Sequence, residues 1–171
     1  MRDGNRESEI TRIKRDVIKK LYSDPDIIEM LNNSDIDPDC PDTAEFTSIF
    51  PFIRIPNVQE EEKCYIGVKL SIPEMRYRDY ENKNDVVIKA QLTVAVICHN
   101  NMLRVPGQKG NRVDIIGGDI AEKLNFCKDF GFTLNLLSDT EDIMTDAYYS
   151  RVQQYTLAIP NNTDGGRKRF R

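Results

Sequence analysis

The residues that could carry out chemistry are few and scattered. His99 is the single histidine of this 171-residue chain and follows Cys98 directly. A zinc site needs about four clustered ligands, and the four cysteines, Cys40, Cys64, Cys98 and Cys127, stand singly with no CxxC spacing. A Cys–His nucleophile pair needs both groups to meet, whereas consecutive strand residues point to opposite faces. Cys98 and His99 are therefore read as a buried thiol and a strand-end histidine facing solvent. Gly107-Gln108-Lys109-Gly110 lacks the GxxxxGK[ST] spacing of a phosphate loop and reads as a turn. Gly117-Gly118 is not GxGxxG; close packing of a helix on a sheet accounts for it. Glu60-Glu61-Glu62 and the acids from Asp139 to Asp146 have no calcium-loop pattern and read as solvated charge. The residue set predicts no catalytic, cofactor or metal site, hence a protein that is not an enzyme.

One segment has a sharper use. Arg167-Lys168-Arg169-Phe170-Arg171 could contact phosphates and stack Phe170 on a base. However, the last eleven residues carry +3 and the rest of the chain −7, so the body repels a nucleic acid. Docking of Arg167, Lys168, Arg169 and Arg171 onto a protein neighbour is the preferred reading.

The elements that must position these residues follow from periodicity. Ser8 can cap a helix over 8–22, with Ile10, Ile13, Val17 and Leu21 on one face. Pro25 opens a short helix over 25–32. Residues 33–45, rich in Asn, Asp and Pro, are a loop. Phe50-Pro51-Phe52-Ile53-Arg54-Ile55-Pro56 has prolines that cannot donate to a ladder, so it reads as an edge strand. Cys64, Ile66, Val68, Leu70 and Ile72 alternate with polar positions, and so do Ile88 to Cys98, predicting an antiparallel hairpin with a polar loop over 73–85. A helix over 112–126 carries Ile116, Ile120 and Leu124. Phe132, Leu134 and Leu136 predict a strand, residues 138–146 a polar connection, and Tyr149 to Ile159 a last strand. The order is α-α-β-β-β-α-β-β. It predicts an α+β fold with a mostly antiparallel four- to five-stranded sheet and helices packed on one face. Residues 1–160 form one domain, with 161–171 a disordered basic tail.

Composition fits this. Charged residues at 30% against 39% apolar suit a globular domain with long polar loops. The longest apolar run, Ala95 to Cys98, is far short of the roughly 18 residues of a membrane span. The N-terminus has no apolar signal core, so the chain is expected in the cytosol, where disulfides do not persist. Val87, Ala95 and Ile97 place apolar groups on the second face of the sheet, as expected of a subunit that buries that face on assembly, and cover by the helix at 8–22 would also explain them.

The layout, from the amphipathic first helix through Asp24-Pro25-Asp26-Ile27-Ile28-Glu29-Met30-Leu31, Phe50 to Pro56, the hairpin, the Ile116/Ile120/Leu124 helix and two last strands, resembles the tail-terminator, tail-completion and head–tail joining proteins of long-tailed bacteriophages and phage-tail-like particles. The resemblance spans residues 8–159. It implies a virion protein of the tail or neck, assembled in the host bacterial cytoplasm. It implies a ring, usually a hexamer, that caps the tail tube and meets the neck. Partners would be other copies of the chain, tail-tube and neck or connector proteins, and the sheath protein. DNA would pass only as cargo in the lumen, and no membrane would be involved. Candidate assembly contacts are Arg76, Tyr77, Arg78 and Tyr80 at the hairpin tip, and Arg104 and Lys109 on the 100–111 loop. The long 33–49 segment and the basic tail depart from the group's pattern. The rival readings are a non-catalytic intracellular adaptor domain and a small-ligand enzyme whose site the residues do not display.

Overall fold

The computed structural model describes residues 8–37, 39–54, 62–77 and 86–160. Helix α1, Glu9–Tyr22, starts where the Ser8 hydroxyl accepts from the Thr11 N–H. It buries Ile13, Val17, Ile18 and Leu21. Helix α2, Pro25–Leu31, is capped by the Asp24 carboxylate, which accepts from the Asp26 and Ile27 N–H groups. Helix α3, Arg112–Leu124, is capped by Asn111. Each cap satisfies donors that the first turn leaves open.

The strands are β1 (Ile49–Phe50), β2 (Cys64–Tyr77), β3 (Val86–His99), β4 (Asn135–Thr145) and β5 (Tyr148–Pro160). They form one five-stranded sheet in the order β1-β2-β3-β5-β4. Only the β1–β2 pair is parallel. The α+β class, the element order and the mostly antiparallel sheet therefore agree with the sequence reading. The main core fills the space between α1, α2 and α3 and the inner face of the sheet, where Ile66, Val68, Leu92, Val94, Val96, Tyr155 and Leu157 meet Val113, Ile116, Ile120 and Leu124. No helix among the described residues is long and apolar enough to cross a membrane.

Several expectations are corrected. The predicted 73–85 loop is shorter: β2 runs to Tyr77 and β3 begins at Val86, with a register shift between Ser71 and Glu74 at Pro73. Pro73 and the register shift beside it interrupt the alternation by which the sequence reading followed the hairpin. The strand placed at Phe132–Leu136 lies further along, and the acidic 138–146 connection is itself most of β4. The 33–45 loop contains a 3-10 turn, Pro41–Ala44. Of the predicted Phe50–Pro56 edge strand only Phe50 is strand, as part of the edge pair Ile49–Phe50; Pro51 to Arg54 leave the sheet, and Ile55 and Pro56 lie outside the described residues.

The second face is not covered by α1. A smaller core of Phe50, Tyr65, Ala95, Ile97 and Tyr148 lies there, with Ile53 packed against it. The chain after β1 crosses over this face, and Gly67 is what lets it approach. A Cβ on Gly67 would stand 2.9 Å from the Phe52 carbonyl oxygen and 3.0 Å from Ile53 Cα.

The thiol reading is also revised. Cys64 and Cys98 are register partners across β2 and β3, with Cα atoms 4.2 Å apart, and they form a disulfide. The partnership joins residues 34 apart through hairpin register, which spacing in the sequence does not display. His99 is half-buried rather than turned to solvent: its ring meets Tyr148 edge-on at 5.1 Å, and its Nδ1 accepts from the Asn101 N–H.

Candidate functional site

The predicted contact residues fall at opposite ends of β3. Arg76 and Tyr77 lie on the β2 arm, in register with Val87 and Val86. Arg104 and Lys109 are exposed on the loop that follows the other end of β3, where Arg104 bridges Asn111. Fourteen residues of β3 separate the two groups, about 45 Å at the rise of an extended strand. The fold therefore gives them two ends of the subunit rather than one site. Arg78, Tyr80, Arg167, Lys168, Arg169 and Arg171 lie outside the described residues.

Sequence reasoning missed the apolar part of the surface. Among the described residues four large hydrophobic side chains are strongly exposed: Phe46, Phe52, Phe126 and Leu137. They divide between the two edges of the sheet. The Phe46 N–H donates to the Ile49 carbonyl, which sets Phe46 beside β1, and Phe52 begins the crossover next to it. The Phe126 N–H donates to the Leu134 carbonyl immediately before β4, and Leu137 is in β4. Phe46 and Phe126 have φ of 64° and 61°. Bulky residues rarely adopt this left-handed backbone, and such strain collects at functional sites. No periodicity marks these residues, because each is a single exposed position at the end of an element.

Both sheet edges are guarded against addition of another strand. Pro73 and the adjacent register shift blunt the outer edge of β2 beyond its short pairing with β1. β4 has two register shifts and carries Asp139, Glu141 and Asp142 with no Lys or Arg. Charges and bulges of this kind block edge-to-edge pairing. Contacts made here run through side chains.

The β4 edge is pinned to α3 by a polar network. Arg151, on β5, makes two 2.8 Å hydrogen bonds to the Asp139 carboxylate and donates to the Asp114 carbonyl at 3.1 Å. Gln153 donates to the Gly117 carbonyl at 2.7 Å and to Asp139 at 3.0 Å, while accepting from the Tyr155 hydroxyl. The Arg151 guanidinium holds the Asp139 carboxyl below the usual carboxylate range, with Gln153 assisting against partial burial. Burial, then Glu141 alongside, pushes the Asp114 carboxyl up. The Tyr149 hydroxyl donates to Glu141, which with burial pushes the phenol up to about 12. Gly117 makes room for the network: a Cβ there would sit 2.6 Å from Arg151 Cδ and 2.9 Å from Nε. The acidic stretch is thus partly an anchored strand, not only solvated charge.

A groove of about 620 Å³ opens on the helix layer between Tyr22, Pro25, Ile28, Asn32, Ile36 and Pro41. Asn33 ties its loop to the sheet. Its amide donates to the Cys64 carbonyl and the Ser48 hydroxyl, and its oxygen accepts from the Cys64 N–H.

A protein-family model described as YomW matches residues 24–157. That name comes from a Bacillus prophage, so the chain is associated with phages. No curated protein matches the chain.

Proposed function

The chain belongs to the YomW family, and from that premise we propose that it is a structural subunit of a long-tailed phage or phage-tail-like particle. In this role it is a tail terminator or head–tail connector whose copies close into a ring that caps the tail tube and meets the neck. It catalyses no reaction. The reading is supported above all by the division of exposed apolar groups between two different sheet edges. Phe46 and Phe52 lie on the β1 side, and Phe126 and Leu137 on the β4 side. A two-fold dimer uses one patch twice, whereas two unlike patches make a head-to-tail contact that closes as a ring when the rotation permits. The two groups of predicted contacts at opposite ends of β3 suit a subunit with one neighbour in the tube and another in the neck.

Mass photometry and native mass spectrometry of the purified chain, alone and with tail-tube protein, test the reading. The expected species is a discrete closed oligomer, a hexamer by the resemblance. A monodisperse monomer that persists with tube protein present overturns it in favour of an adaptor domain.

A further inference from the structure

The groove beside α2 combines an apolar floor with an acidic surround. Residues 24–45 contain eight Asp and Glu and no Lys or Arg. Of these, Glu29 lines the groove. Asp42 and Glu45 lie close enough to Tyr22 to add to burial in raising its phenol pKa. Two of the eight are already paired, Asp24 with Lys123 at 2.7 Å and Asp35 with Lys63 at 3.1 Å, so the segment keeps a net acidic balance of six after both ion pairs are counted. A groove of this size falls within the roughly 300–1,000 Å³ of ordinary ligand sites.

Charge selects the occupant. Among the segments of this chain outside the described residues, 1–7 is neutral, 55–61 carries −2 and 78–85 carries −1. Only 161–171 is basic, at +3, and it holds one large apolar side chain, Phe170, between Arg169 and Arg171. Its starting point also fits. Asp24, at the Pro25 end of the groove, is held by Lys123 in the last turn of α3. The next residues of that end connect to the sheet, where the Asn125 side chain accepts from the Leu136 N–H and Asn135 pairs with Thr156. β5 ends at Pro160, four residues beyond Thr156. Eleven extended residues reach about 36 Å, more than twice the roughly 15 Å radius of gyration of a domain this size.

We propose that this groove takes the chain's own C-terminal segment, residues 161–171, with Phe170 on the apolar floor and Arg167, Lys168, Arg169 and Arg171 facing the carboxylates of α2 and the loop after it. The segment is a strap held within one molecule, where tethering raises its local concentration. The proposal stands apart from the assembly reading, since a chain that forms no ring can still strap its own groove.

The test uses the full chain with Phe170→p-benzoylphenylalanine, a photo-reactive analogue. Irradiation followed by peptide mass spectrometry is expected to give cross-links from position 170 to the Tyr22–Pro41 segment, in species of single-chain mass. The combined substitution Arg167→Glu, Lys168→Glu, Arg169→Glu is expected to reduce their yield about tenfold. Glu29→Lys and high salt are each expected to reduce it in the same direction. An unchanged melting temperature separates loss of docking from loss of fold. Cross-links to another surface, cross-links only between two chains, or a yield indifferent to charge reversal overturns the proposal.

Discussion

Gly117 and Gly118 are adjacent in one helix, yet the same substitution is expected to have opposite effects at the two. Alanine in place of a helical glycine stabilises by about 1 kcal/mol in the absence of a clash. A Cβ on Gly118 meets nothing within 4 Å, so Gly118→Ala should gain that amount, raising the melting temperature by about 3 °C for a chain of this length. A Cβ on Gly117 would sit 2.6 Å from Arg151 Cδ, closer than atoms can stand. Arg151 cannot step aside freely, because Asp139 and the Asp114 carbonyl hold its guanidinium. Displacing it breaks charge-assisted hydrogen bonds of about 1.5–3 kcal/mol, which outweighs the helix gain. Gly117→Ala should therefore destabilise by about 1 kcal/mol, a drop of about 3 °C. Chemical denaturation of both variants, and of each combined with Arg151→Ala, isolates the cause. Without the Arg151 side chain, Gly117→Ala should become stabilising. If both glycine variants stabilise equally with Arg151 present, Arg151 is not anchored on α3 as described.

Asn33→Ala should cost about 2–3 kcal/mol in urea denaturation, because it leaves the buried N–H and carbonyl of Cys64 without their partner. Gly67→Ala should push the crossover chain off the second face, since the opposing atoms belong to the backbone of Phe52 and Ile53; a loss of about 2 kcal/mol with increased dye binding to exposed apolar surface would register it. The Asp114 carboxyl is raised, so its ionisation opposes folding as pH climbs from the ordinary carboxylate value through the raised one. Asp114→Asn should then stabilise at pH 7 by no more than about 0.5 kcal/mol, and the gain should vanish near pH 3 in thermal melts. Asp139 behaves oppositely: its carboxyl is lowered, so its contribution is complete above the ordinary carboxylate value and disappears as pH falls through the lowered one. Arg151→Met should remove that acid-side loss.

Where one face of an element is buried and the other wet, its period was legible in the residues. That holds for α1, α3, the inner parts of β2 and β3, and β5. The acidic part of β4, from Leu137 on, escaped detection because an outer strand rich in Asp and Glu has no apolar alternation to read; Leu137 is exposed and the Asp139 side chain is covered only in part, by Arg151. The arms of the hairpin escaped because Pro73 and the register shift beside it interrupt the alternation. The Cys64–Cys98 bond, the crossover at Gly67 and the groove beside α2 depend on contacts between residues far apart in the chain. Arg104 and Lys109 were correctly placed on a surface loop, but Phe46 and Phe126 stand out only once their backbone conformation is known.

The most direct test of the head-to-tail account is a mixing experiment in native mass spectrometry. Phe46→Asn disables one edge and Phe126→Asn the other; asparagine tolerates the left-handed backbone at both positions, so the fold should be retained or slightly stabilised. Each variant alone should lose the closed oligomer of the unmodified chain. An equimolar mixture should yield a heterodimer, formed through the one intact edge on each partner, and no ring. Oligomers of undiminished size from either variant alone, or a mixture that holds only monomers, would contradict the account.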